Sequence, residues 1–205
     1  MRLYFNPRSR SVTIDWMFRE LNTEYEQILI DFASKDSNLD DLHRKNPMKK
    51  LPTLVDGEAV ITETAAICAY LADKFPQNRL APEVGSPERG VYYRYLFVSG
   101  NTIEPALSLA SANMAHPDAY SVGWGDMTRV MDTIEKMTPV SGWALGDEFT
   151  AADIVFGGLL DFAAKFEWIA VSPRVAAYVS RIRQRPCYLR AHPEMMEHAA
   201  GNRLV

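Results

Sequence analysis

Cysteine is scarce in this chain of 205 residues. Cys68 and Cys187 lie far apart and stand in no CxxC or metal-ligand spacing, a usage that fits a reducing cytoplasm better than a disulfide framework. The 4 histidines are scattered and form no HExxH-type pair, so we expect no metal site. These absences argue against a metalloenzyme and against a disulfide-rich secreted protein.

Long apolar runs and an excess of positive charge are missing too. No stretch approaches the ~18 consecutive apolar residues of a membrane span, and the N-terminal MRLYFNPRSR lacks the apolar core of a signal peptide. The net charge of −4 argues against a nucleic-acid partner. What remains is an ordinary globular composition, 47% hydrophobic and 23% charged, at a length that favours two modest domains.

The first part of the chain alternates strand and helix patterns. Apolar residues at Ile14, Met17, Phe18 and Leu21 have the spacing of an amphipathic helix. The predicted elements are a strand over Arg2–Phe5, a helix starting near Ser9 or Ser11, a strand over 25–30, a loop with a short helix over 36–44, strands over 52–55 and 59–61 joined by an Asp56-Gly57 turn, and a helix over 64–75. Such a mixed sheet needs helices on its faces.

Beyond a loop-like stretch the patterns predict helices alone. Ser86-Pro87 is typical of a helix start, and Pro105 is expected to bend or end that helix. The other predicted helices cover 119–137, the apolar run IVFGGLLDFAAKF, a segment from Ser172-Pro173 to Pro186 with Val175, Val179 and Ile182 on one face, and a last short helix finishing near Ala200. We expect Thr150 to cap the N–H of Asp153, Asp153 to bond back, and Phe149 to pack on Ile154.

Two local features in the first part predict a ligand site. Pro52 stands where a strand should begin, although proline cannot donate to a sheet ladder. Glu63 and Thr64 stand where an extended segment gives way to an apolar helix, and a helix start offers unpaired N–H groups and a positive dipole end. The segment therefore combines an unusual backbone edge with a place for an anion.

The stretch NPMKKLPTLVDGEAVITETAAICAYL resembles the glutathione-binding core of the cytosolic glutathione transferases. The family pattern is an N-P turn, one or two lysines, an apolar residue, a cis proline opening a strand, a hairpin, and an acid-hydroxyl pair at a helix start. Its counterparts here are Asn46-Pro47, Lys49-Lys50, Leu51, Pro52, Asp56-Gly57 and Glu63-Thr64. RLAP, FTAADIVFGGLL and RQRPCYLRA also resemble bacterial members, so the resemblance covers essentially the whole chain.

The resemblance implies an α/β thioredoxin-like N-terminal domain plus an all-α C-terminal domain. We expect the first at residues 1–77, a linker at 78–86 and the helical domain at 87–205. It also implies glutathione as co-substrate, no metal, a cytoplasmic homodimer and a role in detoxification. The paired lysines look theta-like, whereas the C-terminal helices look like generic bacterial members, so the subclass stays open.

The resemblance also assigns a group to each part of glutathione. Thr64 would hold the γ-glutamyl carboxylate and Glu63 the ammonium, while the backbone of Leu51, beside Pro52, would pair with the cysteinyl unit as an added strand. The glycyl carboxylate would meet Lys49, Lys50 and His43. Taken singly, these residues also have structural explanations: solvated lysines, a surface histidine and a plain N-cap at Thr62 or Thr64.

The thiol needs an activating group, because a free thiol has a pKa near ~8.5. In the family this group is a Tyr, Ser or Cys at the first strand–helix junction, where this chain has NPRSRS, and Tyr4 lies too early in the strand. Set beside the bacterial cysteine-type members without gaps, this chain has Arg10 at the position of their cysteine. Because the junction contains no cysteine, a mixed-disulfide mechanism is disfavoured. Our hypothesis is that Ser9 donates to the sulfur, with Ser11 the next candidate and Arg10 adding positive potential. The alternative is that both serines merely cap the helix.

The second substrate is expected to be a small hydrophobic electrophile. Candidate contacts lie on the aromatic helix after the linker, at Tyr92, Tyr95, Phe97 and Asn101, although such stripes are more often core or dimer interface. Two alternatives to conjugation stay open. One is another glutathione-dependent reaction, such as dehalogenation, isomerisation or peroxide reduction, and the other is a non-catalytic binding or regulatory module.

Overall fold

The structure, a computed structural model, describes residues 1–33 and 37–193. The chain divides into two compact units, one formed by Met1–Asn78 with the stretch from Arg185 onward and the other by Arg79–Gln184. The domain limits drawn from the sequence stay a prediction. The last predicted helix, near Ala200, lies outside the described residues.

The first unit is built on a mixed sheet with strand order β2-β1-β3-β4. The strands are β1 (Arg2–Phe5), β2 (Glu26–Leu29), β3 (Thr53–Asp56) and β4 (Ala59–Thr62). β1 runs parallel to β2 and antiparallel to β3, and β3 runs antiparallel to β4. The predicted thioredoxin-like arrangement is confirmed, while the hairpin turn falls on Gly57-Glu58, one residue later than expected. Gly57 has φ 59°, which explains the glycine there.

Helices cover the sheet as its apolar faces require. They are α1 (Ser11–Leu21), α2 (Ser37–Lys45) and α3 (Thr64–Lys74). The predicted α1 positions Ile14, Met17, Phe18 and Leu21 are all buried. On the other side of the sheet, Tyr4 and Val55 form a core cluster with Leu42 of α2.

A further short helix, α9 (Pro186–Ala191), packs on α1 within this first unit. Arg185 donates to both carboxylate oxygens of Glu20 at 2.8 and 2.7 Å. Tyr188 meets the ring of Trp16 edge-on at 5.2 Å and stacks on His192 at 4.1 Å. A bidentate ion pair and an aromatic cluster therefore fix the closing motif RPCYLRA to the first helix.

The second unit is helical throughout its regular elements, as predicted. Its helices are α4 (Pro87–Val98), α5 (Glu104–Ser111), α6 (Met127–Met137), α7 (Gly158–Lys165) and α8 (Pro173–Arg183). Ser86 caps α4 by accepting the N–H of Arg89, and Ser172 caps α8 in the same way. In α8 the predicted face of Val175, Val179 and Ile182 is buried.

Two helix predictions in this unit differ from the structure in detail. Pro105 was expected to bend or end the helix from Pro87; α4 ends earlier, at Val98, and a π-helical turn over Ser99–Ile103 leads into α5, whose first turn contains Pro105. The helix expected over 119–137 begins only at Met127, where Asp126 caps it. Gly125, with φ 69°, stands just before that cap.

The apolar helix is the buried centre of the second unit, as predicted. A π-helical turn over Asp153–Gly157 leads into α7. Asp153 accepts the N–H of Thr150 at 3.0 Å, so the expected back-bond is present. The Thr150 hydroxyl accepts the N–H of Ala152 at 3.2 Å, and the N–H of Asp153 donates to the Thr150 carbonyl at 3.0 Å. Capping of the Asp153 N–H by the Thr150 hydroxyl stays a prediction. Phe149 packs edge-on against Trp143 at 4.9 Å.

Candidate functional site

Three residues on adjacent strands lie opposite one another in a row across one end of the sheet. Tyr4 of β1 lies opposite Thr53 of β3, and Thr53 lies opposite Thr62 of β4. Because β3 runs opposite to both neighbours, the chain leaves β1, enters β3 and leaves β4 at the same end of the sheet. The three segments predicted to bind glutathione join this end: the turn carrying Ser9, the Leu51-Pro52 edge, and Glu63-Thr64.

The turn after β1 is held by Asn6. Its side-chain amide donates to the carbonyl of Ile30 at 2.7 Å, and its amide oxygen accepts the N–H of Arg8 at 2.8 Å. Its own carbonyl accepts from the hydroxyls of Ser9 and Ser11 at 2.9 and 3.0 Å. The turn is thereby fixed between the two parallel strands.

The two serines do not occupy the N-cap of α1, which is Arg10. The Ser11 hydroxyl is fully buried and accepts the N–H of Asn6 at 3.0 Å. Ser9 is half-buried, and its hydroxyl lies 2.6 Å from that of Ser11. Of the two, Ser9 alone keeps exposed surface for a ligand.

Asn46 organises the turn before β3 in the same way. It is 3% exposed, its amide donates to the carbonyl of Lys50 at 2.9 Å, and its amide oxygen accepts the N–H of Met48 at 2.9 Å. Lys49 has φ 56°, and Lys49 and Lys50 are both exposed. Neither asparagine was predicted as a site residue, although each stands in an Asn-Pro turn, and such turns favour this amide-to-backbone bond.

The edge before β3 has the predicted backbone form. The Leu51-Pro52 peptide bond is cis. The described ladder registers of β3 begin at Thr53, so Leu51 stands just outside them. Leu51 is half-buried against the core cluster of Tyr4, and Pro52 is buried.

The start of α3 is free of a side-chain cap within the described residues. The N-cap position is Glu63, with φ 66° and ψ 121°, and its side chain makes no capping bond. Thr64 is the first helical residue, so neither Thr62 nor Thr64 is the plain N-cap considered from the sequence. Glu63 is exposed and Thr64 is half-exposed. The first turn of α3 therefore presents backbone N–H groups and a hydroxyl where an anion would be stabilised.

Two other candidate groups for thiol chemistry in the first unit, Tyr4 and Cys68, are buried. Tyr4 is buried and donates to the carboxylate of Asp41, and burial together with this bond raises the pKa of Tyr4 to about 12. Burial raises the pKa of the Cys68 thiol, which is 0% exposed and belongs to the core as predicted. His43 is half-buried on α2. Neither Tyr4 nor Cys68 is thus a candidate for thiol chemistry.

The predicted electrophile contacts have mixed positions in the helical unit. Tyr92 is 0% exposed and Tyr95 8% exposed, and the Tyr95 hydroxyl donates to the carbonyl of Met137 at 2.7 Å. Asn101 and Phe97 are exposed. Burial favours a core role for the two tyrosines, and a substrate contact at any of these positions stays a prediction.

A groove of about 630 Å³ lies at the far end of α1 from Ser9. Its walls include Asp15, which is 3% exposed and accepts from Arg19 at 2.9 Å and from the Tyr25 hydroxyl. In the described part of the chain no group of three or more acidic, His or Cys side chains could hold a metal ion. No helix described is long and apolar enough to cross a membrane.

The fold defines a class: a thioredoxin-like domain whose three loop segments meet at one sheet end, joined to an all-helical domain. Family comparisons agree with this class. Residues 1–73 match the model for the N-terminal domain of glutathione S-transferase, and residues 118–186 match the model for its C-terminal domain.

Relatives extend the match over most of the chain. Glutathione S-transferase Z2 of Arabidopsis thaliana is 27% identical over 182 residues, covering 83% of this chain and 80% of the relative. Maleylacetoacetate isomerase of Dictyostelium discoideum is 26% identical over 200 residues, covering 93% and 88%. The crystal structure of a beta class glutathione S-transferase from Sphingomonas chungbukensis is 26% identical, with a TM-score of 0.75 over 95% of this chain and 98% of that one.

The chain belongs to the glutathione S-transferase family. It is a glutathione transferase, acting by glutathione conjugation or a related glutathione-dependent reaction.

Proposed function

We propose that this enzyme binds glutathione at the sheet end defined by Tyr4, Thr53 and Thr62 and activates its thiol with the Ser9 hydroxyl for attack on a small hydrophobic electrophile. The observation that carries the proposal is the shared row of these three residues. The row brings the Ser9 turn, the Leu51 edge and the start of α3 to one end of the sheet.

The γ-glutamyl end of glutathione fits the start of α3. Its carboxylate would accept from the hydroxyl and N–H of Thr64, where the helix dipole adds to the attraction. The exposed carboxylate of Glu63 would pair with its ammonium. In support, the uncapped start of α3 leaves this anion position to a ligand.

The rest of the tripeptide would lie along the edge before β3. The cysteinyl unit would pair with the backbone of Leu51 as an added strand. The exposed Lys49 and Lys50 would attract the glycyl carboxylate, with His43 as a further contact. The Asn46 bonds to Met48 and Lys50 support this assignment, since they fix the turn that carries both lysines.

The sulfur would meet Ser9. Lowering a thiol pKa by about two units requires about 2.7 kcal/mol of thiolate stabilisation. A hydroxyl donor at the start of α1, assisted by the helix dipole and by Arg10, can supply an effect of this size. Ser9 is favoured over Ser11 because Ser9 retains exposed surface, whereas Ser11 is 0% exposed.

The expected oligomer is a homodimer in the cytoplasm. Support within the helical unit comes from α4, which exposes a set of large apolar side chains: Val91 at 47%, Tyr93 at 38% and Phe97 at 56%. The rings of Tyr93 and Phe97 lie 6.3 Å apart on one face of α4, and exposed apolar surface of this kind is typical of a protein–protein contact.

Glutathione-dependent cis–trans isomerisation is the second candidate function, favoured by the similarity to maleylacetoacetate isomerase over 93% of this chain. The same thiolate would serve both reactions, adding to an activated double bond and, for isomerisation, leaving again. A non-catalytic glutathione-binding module is the outcome if ligand binds without turnover.

The test combines binding and turnover. The wild-type protein should be retained on immobilised glutathione and should conjugate glutathione to a panel of aryl halides and activated alkenes, or isomerise maleylacetoacetate. Thr64→Val should raise the Kd for glutathione about tenfold or more, because it removes a hydrogen bond to a charged group. Thr133→Val is the matched control, because Thr133 is a half-exposed threonine on α6, outside the proposed site, and it should leave Kd unchanged. Equal Kd values for wild type and Thr64→Val would refute the site.

A further inference from the structure

The carbonyl oxygen of Asn6 has more donors than it needs. Three lie within hydrogen-bond distance: the Ser9 N–H at 3.0 Å, the Ser9 hydroxyl at 2.9 Å and the Ser11 hydroxyl at 3.0 Å. A carbonyl oxygen has two lone pairs, and the Ser9 N–H takes one of them. A single hydroxyl hydrogen is therefore enough to satisfy this oxygen.

The backbone groups of the turn are satisfied whichever hydroxyl makes that bond. The Ser11 hydroxyl oxygen accepts the N–H of Asn6 at 3.0 Å, and the Ser9 hydroxyl oxygen accepts the N–H of Ser11 at 3.1 Å. The two hydroxyl oxygens lie 2.6 Å apart, so either can donate to the other. One of the two hydroxyl hydrogens can consequently turn elsewhere without leaving a backbone group of the turn unpaired.

Exposure decides which hydrogen is available to a ligand. Ser11 is 0% exposed, whereas Ser9 is half-buried. We propose that Ser11 is the positioning residue of Ser9: when the thiolate forms, the Ser11 hydroxyl supplies the Asn6 carbonyl and the Ser9 hydrogen turns from that carbonyl to the sulfur. The inference rests on the proposed role of Ser9. The thiol proton leaves to water, and the two serine hydrogens only change acceptors.

Removing the Ser11 hydroxyl makes this exchange costly. With Ser11 absent, donation from Ser9 to sulfur leaves the Asn6 carbonyl without its second donor. The loss has the size of one neutral hydrogen bond, so the pKa of the bound thiol should rise by about half a unit to one unit. Once Ser9 is gone there is no donor to release, and the same substitution should have no further effect on the thiol.

A double-mutant cycle on the bound thiol tests the proposal. Wild type, Ser9→Ala, Ser11→Ala and the double variant are titrated with bound glutathione, following the ultraviolet absorbance of the thiolate against the same protein with bound S-methylglutathione. We expect Ser9→Ala to raise the thiol pKa by about two units and Ser11→Ala by about half a unit to one unit. In the Ser9→Ala background, Ser11→Ala should change the pKa by less than about a quarter of a unit.

The Kd for S-methylglutathione and the thermal midpoint of each variant show whether fold and binding are intact. If Ser11→Ala does not fold, Ser11→Cys keeps a side chain of similar shape with a weak donor. Glutathione labelled with ¹³C at its cysteine β-carbon then reports the thiol of the ligand alone by NMR. A Ser11 variant that leaves the thiol pKa unchanged, or raises it equally in both backgrounds, overturns the positioning role alone. An unchanged pKa in Ser9→Ala overturns the proposed role of Ser9 and, with it, this inference.

Discussion

Gly157→Ala probes the centre of the helical unit. A Cβ at Gly157 would lie 2.1 Å from Ile182 Cδ1 and 3.2 Å from both Cε1 and the hydroxyl oxygen of Tyr178. Ile182 and Tyr178 are each 0% exposed, and the Tyr178 hydroxyl donates to Asp153 at 2.7 Å. The neighbours can therefore yield only by shifting packed side chains and straining this buried bond.

Two effects of opposite sign determine how much Gly157→Ala changes the free energy of unfolding. Overpacking costs about 1–3 kcal/mol, and a contact as short as 2.1 Å places Gly157→Ala near the upper end. Replacing glycine by alanine in a helix stabilises the folded state by about 1 kcal/mol. The expected net loss in the free energy of unfolding is about 2 kcal/mol.

Urea unfolding followed by circular dichroism, at one fixed protein concentration, measures this loss as a lower midpoint with an unchanged slope. Gly90→Ala is the matched control, since Gly90 lies within α4 and no described heavy atom stands within 4 Å of its would-be Cβ. The free energy of unfolding of Gly90→Ala should be higher than that of wild type by up to about 1 kcal/mol. A Gly157→Ala protein as stable as wild type would refute the packing argument.

Three further predictions concern buried and exposed charge. Asp153→Ala should lower the free energy of unfolding by at least about 3 kcal/mol, because two backbone N–H groups and a hydroxyl lose their acceptor; a smaller loss in urea unfolding would contradict this. The bonds from Lys74 and Tyr70 lower the pKa of Asp56 below its ordinary 3.8. The stabilisation from these bonds is present above pH 3.8 and is lost as the pH falls through the lower pKa of the folded state. The free energy of unfolding of an Asp56→Asn variant should therefore depend less on acid pH than that of wild type. An identical pH dependence would contradict the lowered pKa of Asp56. A Lys49→Ala, Lys50→Ala double variant should bind glutathione about 2- to 10-fold more weakly at low salt, with the difference shrinking at high salt in calorimetric titrations; a salt-independent difference would point away from charge.

The sequence could predict the elements whose signals are local. Ser86-Pro87 and Ser172-Pro173 mark helix starts correctly, because a serine cap followed by proline leaves few alternatives. The helix expected from residue 119 fails because apolar spacing continues through a stretch whose backbone is set by Gly125 and by the cap at Asp126. Pro105 indicates that the helix from Pro87 is interrupted nearby, but the position and form of the interruption could not be predicted, because no local signal marks the π-helical turn over Ser99–Ile103.

In the candidate site, too, the features with local sequence signals could be predicted and those that depend on the assembled fold could not. The motif from Asn46 to Thr64 could be read from residue order, since each part is contiguous in the chain. The roles of Asn6 and Asn46 could not be read this way. The Asn6 amide bonds across to Ile30, and the Asn46 amide bonds within a turn whose geometry depends on the assembled sheet. Likewise, the sequence could not separate Ser9 from Ser11. That distinction is one of burial, which depends on how α1 packs.

The central claim is that this protein holds glutathione at the sheet end with its sulfur on Ser9. A crystal structure of the complex with glutathione tests it most directly. The account predicts the sulfur within hydrogen-bond distance of the Ser9 hydroxyl, with the γ-glutamyl carboxylate on Thr64. A sulfur facing a different donor, with Ser9 still bonded to the Asn6 carbonyl, would contradict it.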